Sequence, residues 1–379
     1  MLTKTLKLGA PRVTTEAGGS RIDADICGEH LYVKANAPLA ASSEALVAAF
    51  YLIAMHQGAT LRCDGPLDPQ FARNLPAVAD FAGRHLDLSH RDVEADIRRG
   101  PPKAGASASF FTGGIDSFYS LSRHTADLDA LIYIVGFDIP CGDQASIQNT
   151  LPQLRRVADA SGQFLIEMET NLRELRLFRS LNWELTHGAA LAAMALFLTG
   201  QVGRVFVPSS DASPRGRETA WGSDPVLVES WSSDSLEIVY DDSGAQRIDK
   251  VTALAGFPLA LDHLRVCWLN DVPGGNCGVC EKCVRTMAML EVCGALQEVK
   301  TLPHDGLSER IRALPAFTWN QRRMWQTVLD HPNCGPLTAA IEEKLGAPMQ
   351  QSFGTTPPIG LSRLKWQIKN FRLVGQMLR

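Results

Sequence analysis

The feature that most constrains the fold is an alternation of short, β-rich apolar segments with longer helical ones, which begins at Ala106. The β-rich segments are SASFF, DALIYIVGF, QFLIEM and RVFVPSS, and helical patterns lie between them. Strands with a long apolar character, interleaved by helices, are typical of βαβ units in a buried parallel sheet. The sequence therefore predicts an α/β fold, a parallel sheet with helices on both faces. Ligands in such folds bind beyond the carboxyl ends of the strands.

Two flanking regions differ from this pattern. Residues 1–104 contain short alternating segments and two helical ones, the first capped by Ser42 or Ser43 and ending near Gly58, so we expect a small N-terminal α+β domain. The stretch RRGPPKAGAS has the composition of a linker to the central domain, residues 105–300.

Residues 301–379 should form a helical C-terminal extension. In its last stretch, LSRLKWQIKNFRLVGQMLR, apolar residues recur at helical spacing among basic ones. Such a stripe can pack on the body of the protein, contact a nucleic acid or an anionic surface, or bind a partner helix.

One strand end carries the residue types of an anion site. In SASFFTGGIDSFYSL, a strand ends in two phenylalanines, residues 112–114 read Thr-Gly-Gly, and a helix begins near Asp116. The N-terminus of a helix attracts anions, and glycines let a phosphate approach the backbone. Ser117 can donate its hydroxyl, and Asp116 can hold a Mg²⁺ that neutralises phosphate charge. The alternative is a tight turn in which Asp116 or Ser117 is an ordinary N-cap.

Four of the nine cysteines lie close together in the sequence. Cys267, Cys277, Cys280 and Cys283 follow the spacing C-x9-C-x2-C-x2-C. Four neighbouring thiolates match a closed tetrahedral zinc site, which has no open position for water and is therefore structural. An iron–sulfur cluster and unmetallated thiols are the alternatives. Arg285, on the helix predicted to follow, can reach a phosphate or a substrate carboxylate, or can lie at the surface.

The segment F-T-G-G-I-D-S resembles the S-G-G-x-D-S signature of the PP-loop ATP pyrophosphatase superfamily, with Thr112 in place of the first serine. Together with the cysteine motif C-G-x-C-x-x-C and the arginine after it, this segment is similar to the 7-cyano-7-deazaguanine synthase family. The resemblance covers about residues 107–295 and implies a PP-loop, HUP-like Rossmannoid fold. It also implies that a substrate carboxylate attacks the α-phosphate of ATP, releasing pyrophosphate, and that ammonia or an amine then displaces AMP.

The resemblance implies roles for individual residues. Those implied to bind the nucleotide are Thr112, Gly113, Gly114, Ile115, Asp116, Ser117 and Asp138. Those implied to be catalytic are Asp116, Ser117 and His187, of which the histidine contacts phosphate or transfers a proton. Those implied to face the substrate are Arg215, Trp221, Ser223, Asp224, Trp231 and Arg285. The residues alone leave alternatives open: Asp138 can be a solvated loop acid, His187 a structural histidine, and the two tryptophans core residues.

Composition limits the partners. A net charge of −4 provides no attraction of the whole protein to nucleic acid, so polyanion binding is left to local patches. The longest apolar run, residues 189–198, is far shorter than the roughly 18 residues of a membrane span, and MLTKTLKLGAPR lacks a signal-peptide core. We therefore expect a cytoplasmic protein without a membrane span, in which the scattered cysteines are reduced. Homo-oligomerisation stays open, as does a protein or RNA partner bound through the terminal domains.

Three functions fit these observations. The first is an ATP-dependent, C–N bond-forming ligase that uses ATP, Mg²⁺ and structural Zn²⁺ to join a small-molecule carboxylate to ammonia or an amine, giving an amide or a nitrile. The second is a PP-loop sulfur transferase that thiolates a nucleobase or RNA, for which Cys141 must converge with Cys63 or Cys293. The third is a nucleotide-binding regulatory module without turnover.

Overall fold

A computed structural model describes residues 4–210, 221–241 and 244–349. Within these residues, one sheet of 11 strands carries helices on both faces. The strands are β1 (Thr5–Leu8), β2 (Arg12–Glu16), β3 (Gly19–Ile26), β4 (Glu29–Ala35), β5 (Thr60–Cys63), β6 (Val93–Glu94), β7 (Ser107–Phe110), β8 (Ala130–Val135), β9 (Phe164–Thr170), β10 (Arg204–Pro208) and β11 (Glu237–Asp241). The α-helices are α1 (Ser43–Gln57), α2 (Pro69–Leu86), α3 (Ile115–His124), α4 (Gln144–Ser161), α5 (Trp183–Leu196), α6 (Pro225–Ser230), α7 (Arg247–Leu254), α8 (Pro258–His263), α9 (Glu281–Val292), α10 (Leu307–Ala313), α11 (Trp319–Leu329) and α12 (Thr338–Gly346). Short 3₁₀ helices cover Leu172–Glu174, Phe178–Ser180 and Leu296–Glu298.

The strands after residue 105 form a doubly wound parallel unit. β9, β8, β7, β10 and β11 lie side by side in that order, and each neighbouring pair is parallel. The chain adds β8 and β9 on one side of β7, then crosses back and adds β10 and β11 on the other side. The strand order therefore reverses between β7 and β10, and open α/β sheets bind ligands at this kind of switch point. The predicted α/β class is confirmed.

The strands before residue 105 extend the same sheet. β4 pairs antiparallel with β9, and β3, β2 and β1 continue the antiparallel arrangement, whereas β5 and β6 are parallel additions. The sheet as a whole is thus mixed rather than wholly parallel. A physical reason is that the outer edge of β9 would otherwise present unpaired backbone groups, which β4 satisfies.

Alternate side chains of each central strand enter different cores. All six residues of β8 are buried; Ile132 and Ile134 pack with α1, α2, α5 and α6, whereas Leu131 and Tyr133 pack with α3, α4 and α7 to α12. The helices α1 and α5 are buried on most of their circumference and are apolar nearly all round, as expected for helices inside a core. The predicted cap of α1 is confirmed, since Ser42 accepts a hydrogen bond from the backbone N–H of Ala45.

The C-terminal region is helical through α12, as predicted. The amphipathic stretch predicted after residue 350 lies outside the described residues. Among the residues that the structure describes, no helix is both long enough and apolar enough to span a bilayer.

A buried carboxylate ties the end of β11 to α3. Asp241, whose side chain is 5% exposed, accepts hydrogen bonds from Arg123 Nη1 at 2.8 Å, from His124 Nε2 at 3.0 Å and from the Ser120 hydroxyl. Burial by itself would raise the pKa of Asp241. The hydrogen bonds from Ser120 and His124 and the charge of Arg123 outweigh burial and lower the pKa.

We expect Asp241→Asn to lower the free energy of unfolding by about 2 to 3 kcal/mol at pH 7. The substitution removes the negative charge of the buried carboxylate and leaves the groups that donate to it without their charged acceptor. The pKa of the folded state is below that of the unfolded state, so this stability is present above the unfolded pKa, near 4, and is lost as the pH falls through the folded pKa. Urea unfolding at pH 7 and at successively lower pH should therefore show a shrinking difference. Asp262→Asn, in a more exposed ion pair with Lys300, is the control. A difference independent of pH contradicts this account.

Candidate functional site

The Gly-Gly turn lies at the switch point of the sheet, directly after β7. Gly113 has φ of 75°, a left-handed conformation that glycine adopts without strain. The N-cap of α3 is Gly114, and no side chain caps this helix. Asp116 and Ser117 are therefore not N-caps, which removes the ordinary-cap alternative. The first N–H groups of α3 have no acceptor within the helix. Ser117 instead stabilises the turn, since its hydroxyl donates to Gly114 O at 3.0 Å.

Asp116 lies between two basic side chains of α7. Arg247 Nη2 is 2.7 Å from Asp116 Oδ2, and Lys250 Nζ is 3.2 Å from Asp116 Oδ1. The same two bases reach the chain after β10: Arg247 donates to Ser210 O at 3.0 Å and Lys250 to Ser209 Oγ at 3.0 Å. The α7 helix thus connects both sides of the crevice. Neither base is among the site residues predicted from the sequence; the available signal was their i, i+3 spacing in R-I-D-K after a strand end.

Two more cations reach this region from the segment that carries the cysteines. The backbone N–H of Arg265 donates to Gly113 O at 2.7 Å, and its guanidinium donates to Asn270 at 2.6 Å. The backbone carbonyl of Lys282 accepts a hydrogen bond from the Thr286 hydroxyl at 2.8 Å, whereas its ammonium group has no hydrogen bond or ion pair with another described residue. Burial lowers the pKa of Lys282, an effect that the nearby Asp138 carboxylate opposes. Arg265 and Lys282 are not among the predicted site residues either.

Three arginines of the region have buried donor atoms without a hydrogen-bond acceptor in the described structure: Nε of Arg247, Nε of Arg265 and Nη1 of Arg285. Arg285 is also paired with Glu281, with Nε at 2.7 Å from the carboxylate. A buried donor without an acceptor destabilises a protein by roughly 1 to 3 kcal/mol. A bound anion would supply the missing acceptors, so these atoms favour a ligand at this place.

An apolar cavity of about 170 Å³ adjoins the turn. Three residues implicated by the sequence, Thr112, Asp138 and His187, meet in its wall. The rest of the lining is Phe110, Ile132, Ile134, Phe137, Trp183 and Leu191. Pockets for whole drug-sized ligands have about 300 to 1,000 Å³, so this cavity suits a single ring system.

Arg173 supports one wall of the cavity. Its guanidinium lies 4.3 Å from the centre of the Trp183 ring and donates a hydrogen bond to Phe137 O. Burial lowers the pKa of Arg173. The Phe137 and Trp183 rings meet edge to face at 5.1 Å, an arrangement that the quadrupoles of aromatic rings favour. The wall is therefore held by a cation on one aromatic face and a ring edge beside it.

His187 lies one helical turn after Trp183, with the two ring centres 6.0 Å apart, and is also beside Trp221. Its Nδ1 is 3.2 Å from Glu184 O, which only accepts hydrogen bonds, so Nδ1 carries the proton. The ring of Trp221 meets the His187 ring at 5.2 Å. Glycines allow this contact, because a Cβ at Gly188 would lie 2.0 Å from Gly222 O. Close packing of the two backbones thus positions Trp221.

The other predicted substrate residues are dispersed. Ser223 is buried, and Asp224 caps α6 by accepting from Val226 N at 2.9 Å. Trp231, predicted to face the substrate, instead lies in the core between α2 and α6. It is 0% exposed, and its ring centre is 6.0 Å from that of Phe71, because the apolar face of α6 turns inward there. Arg215 lies outside the described residues.

The four cysteines predicted to bind a metal form one cluster, with all four sulfurs within 4.8 Å of one another. This cluster can bind a metal ion such as zinc. Zn–S bonds of about 2.3 Å in a tetrahedron put sulfurs about 3.8 Å apart, close to the 3.9 Å between Cys277 and Cys283. Within this cluster, a hydrogen bond from the Cys283 thiol lowers the pKa of Cys280, and the same hydrogen bond raises the pKa of Cys283.

The cysteine segment also contacts the turn and the cavity. Asn276 accepts from the N–H groups of Val266 and Cys267 at 2.8 and 3.1 Å, which fixes the start of the segment. Asn270 donates to the carbonyl of Asp138 at 3.0 Å. Arg265 comes two residues before the first cysteine and Lys282 lies between Cys280 and Cys283, so the fold of this segment determines where two of the cations lie.

Comparisons with protein-family models, with curated proteins and with solved structures found no match to this chain. The function must therefore be argued from the site itself: its charges, its cavity and its position in the sheet.

We expect purified protein to contain about one zinc ion per chain by elemental analysis, since the four sulfurs are already gathered. Cys280→Ser should lose the metal and unfold several degrees lower, because metal binding contributes to folding stability. Cys27→Ser, an exposed thiol far from the cluster in sequence, is the matched control and should keep the metal. Iron with visible absorbance, or protein without metal, contradicts a zinc site.

Proposed function

We propose that this protein is an ATP-dependent ligase that activates a carboxylate as its adenylate and transfers the acyl group to ammonia or an amine, converting ATP to AMP and pyrophosphate. The observation that supports this most is that two compartments meet at the switch point. One is an apolar cavity for a single ring system. The other is an anion cradle made of the Gly-Gly turn, the α3 N-terminus and basic side chains.

The charge of the cradle suits the leaving group. Arg247, Lys250, Arg265 and Lys282 surround the turn, whereas Asp116 and Asp138 are the acids near it. Negative charge develops on pyrophosphate as its bond to the α-phosphorus breaks. Preorganised donors and cations at that point lower the barrier, because they need no reorganisation during the step.

Of the two acids, Asp138 is the one that would hold Mg²⁺. Asp116 is occupied by its two basic partners, whereas Asp138 is exposed and forms no ion pair in the described part of the chain. The ion would supply further neutralisation of phosphate charge. Thr112, at the border of turn and cavity, would lie between the phosphates and the ring system.

The carboxylate substrate would enter beside His187 and Trp221. The two rings meet edge to face, which offers an aromatic surface next to a donor or acceptor nitrogen of His187. A planar acid such as a deazapurine carboxylate is the substrate class that the sequence resemblance suggests. His187 is the candidate for proton transfer there.

A sulfur transferase is the alternative, and no feature of the site favours it. Cys63 lies at the end of β5, five strand spacings from β8, whose end Cys141 follows. Because β5 also runs opposite to β8, its end lies at the other edge of the sheet, and Cys141 Sγ is hydrogen-bonded instead to Thr170 O at 3.2 Å, at the end of β9. The Cys293 sulfur is instead hydrogen-bonded to the Thr252 hydroxyl at 3.2 Å, at the far end of α9. A regulatory module without turnover is the remaining alternative. Release of pyrophosphate in the assay below would exclude it.

The direct test is to incubate the protein with Mg-ATP, ammonium and a set of acids that includes 7-carboxy-7-deazaguanine and aromatic carboxylates, and to measure AMP and pyrophosphate. We expect acid-dependent release of both. Lys282→Ala should lower kcat/KM by about 10²-fold, the loss typical when one group that stabilises the transition state is removed. The substitution breaks no side-chain hydrogen bond of the described structure. Lys300→Ala, in an exposed ion pair, is the control. Release of ADP, or no acid-dependent turnover, contradicts the proposal.

A second test addresses the approach of phosphate to the turn. A methyl group at Gly114 would lie 3.5 Å from Thr112 Oγ1 and 3.8 Å from Arg265 O, ordinary contacts, and φ of −85° suits alanine. Gly114→Ala should therefore keep the wild-type melting temperature but weaken Mg-ATP binding about tenfold in calorimetry, because the methyl covers backbone that the phosphate must approach. Gly142→Ala, with open space around it, should bind as wild type. Equal affinities for both variants would count against the cradle.

A further inference from the structure

In the described part of the chain, one oxygen of a half-buried carboxylate in the first turn of α5 has no hydrogen-bond partner. Glu184 Oε2 is buried and has no hydrogen-bond partner, although the backbone N–H and C=O of this residue are both bonded. Burial raises the pKa of Glu184. A buried carboxylate without a partner opposes folding, so its presence calls for a functional explanation.

The position of Glu184 on α5 directs it to the cavity. Residues spaced by three, four and seven positions share one face of a helix. Three and seven positions after Glu184 come His187 and Leu191, which line the cavity, and four positions after it comes Gly188, which meets Gly222 beside Trp221. Helical side chains also tilt toward the N-terminus. Since α5 begins at the carboxyl edge of the sheet, Glu184 lies beside two residues at the mouth of the cavity, one position after Trp183 and three before His187, without itself lining the cavity.

The charged groups around this mouth leave the carboxylate without a cation. His187 shares its helix, Asp224 follows Gly222 on the adjacent segment, Asp138 lies across the cavity, and Arg173 is engaged with Trp183 and Phe137. In the described part of the chain, no basic side chain lies within 4.0 Å of Glu184. A small cation or hydrogen-bond donor from solvent would supply the missing partner.

We propose that Glu184 binds the incoming ammonium or primary amine and accepts its proton as the C–N bond forms. This inference rests on the proposed function. Two protons must leave an ammonium before it becomes an amide nitrogen. The first passes to bulk water before attack, and the nitrogen lone pair then bonds to the carbonyl carbon of the adenylate. The bond from that carbon to the phosphate oxygen breaks, and AMP leaves with the electron pair. The second proton passes from nitrogen to the Glu184 carboxylate.

The test separates the two half-reactions in wild type, Glu184→Gln and the control Glu174→Gln, an exposed acid at the same edge of the sheet. Adenylation is measured as acid-dependent exchange of labelled pyrophosphate into ATP, which requires no amine. Transfer is measured as amide formation against the concentration of ammonium or methylamine, from pH 6 to 9. We expect E184Q to retain exchange within about twofold and to lose about 10² to 10⁴-fold in kcat/KM for the amine, the range of a general base.

The outcomes separate a failure of the role of Glu184 from a failure of the proposed ligase function. Exchange in wild type with unchanged amine transfer in E184Q overturns the inference alone. Loss of exchange in E184Q assigns the residue to adenylation and also overturns it. Absence of exchange in wild type with every acid overturns the proposed function and, with it, the reaction in which Glu184 would act.

A stability measurement tests the structural premise without any substrate. Because the folded pKa of Glu184 is raised, the folded state loses stability relative to the unfolded state as the pH rises above the unfolded value, near 4.3. E184Q lacks this loss, so its melting temperature should exceed that of wild type by about 2 to 4 °C at pH 8 and by less at pH 5. A variant no more stable than wild type at pH 8 overturns the premise and the inference.

Discussion

The ion pairs of Asp116 with Arg247 and Lys250 are the interaction on which the site depends. Lys250 is only 1% exposed, and a cation so buried is tolerated only when it is paired and hydrogen-bonded. Its partners come from α3 and from the chain after β10, so the pair joins the two sides of the switch point. Losing Asp116 would leave a buried positive charge and separate these elements. The same bases bring positive charge to the turn, so one contact stabilises the crevice and shapes its electrostatics.

The two faces of the sheet supply different parts of the site. Phe110 and Ile132, in the cavity wall, belong to the core with α1 and α5, whereas α7 and α9, which carry the cations, belong to the core on the other face. The Gly-Gly turn lies where the two meet. This arrangement separates an apolar compartment from a charged one by the thickness of a strand, so a ligand with a ring and phosphates can satisfy both.

Regions outside the doubly wound unit contribute to the site through packing. The α1 helix packs along α5, which carries Trp183, Glu184 and His187, and β4 covers the edge of β9. On the other face, the Trp325 indole of α11 donates to Glu281 at 3.0 Å, and Glu281 holds Arg285. Both flanking regions therefore stabilise side chains at the crevice without forming its lining.

The sequence by itself determined the features that depend on a few neighbouring residues. The α/β alternation, the cap at Ser42, the turn at Gly113 and the spacing of the four cysteines were all readable, because backbone conformation, capping and chelation act over short distances along the chain. Only the tertiary structure decided that Arg247, Lys250 and Lys282 converge on the turn, that Trp231 enters the core, that β4 pairs with β9 and that Glu184 lacks a partner. Those outcomes follow from strand order, register and burial, which join residues more than a hundred positions apart and leave no local pattern.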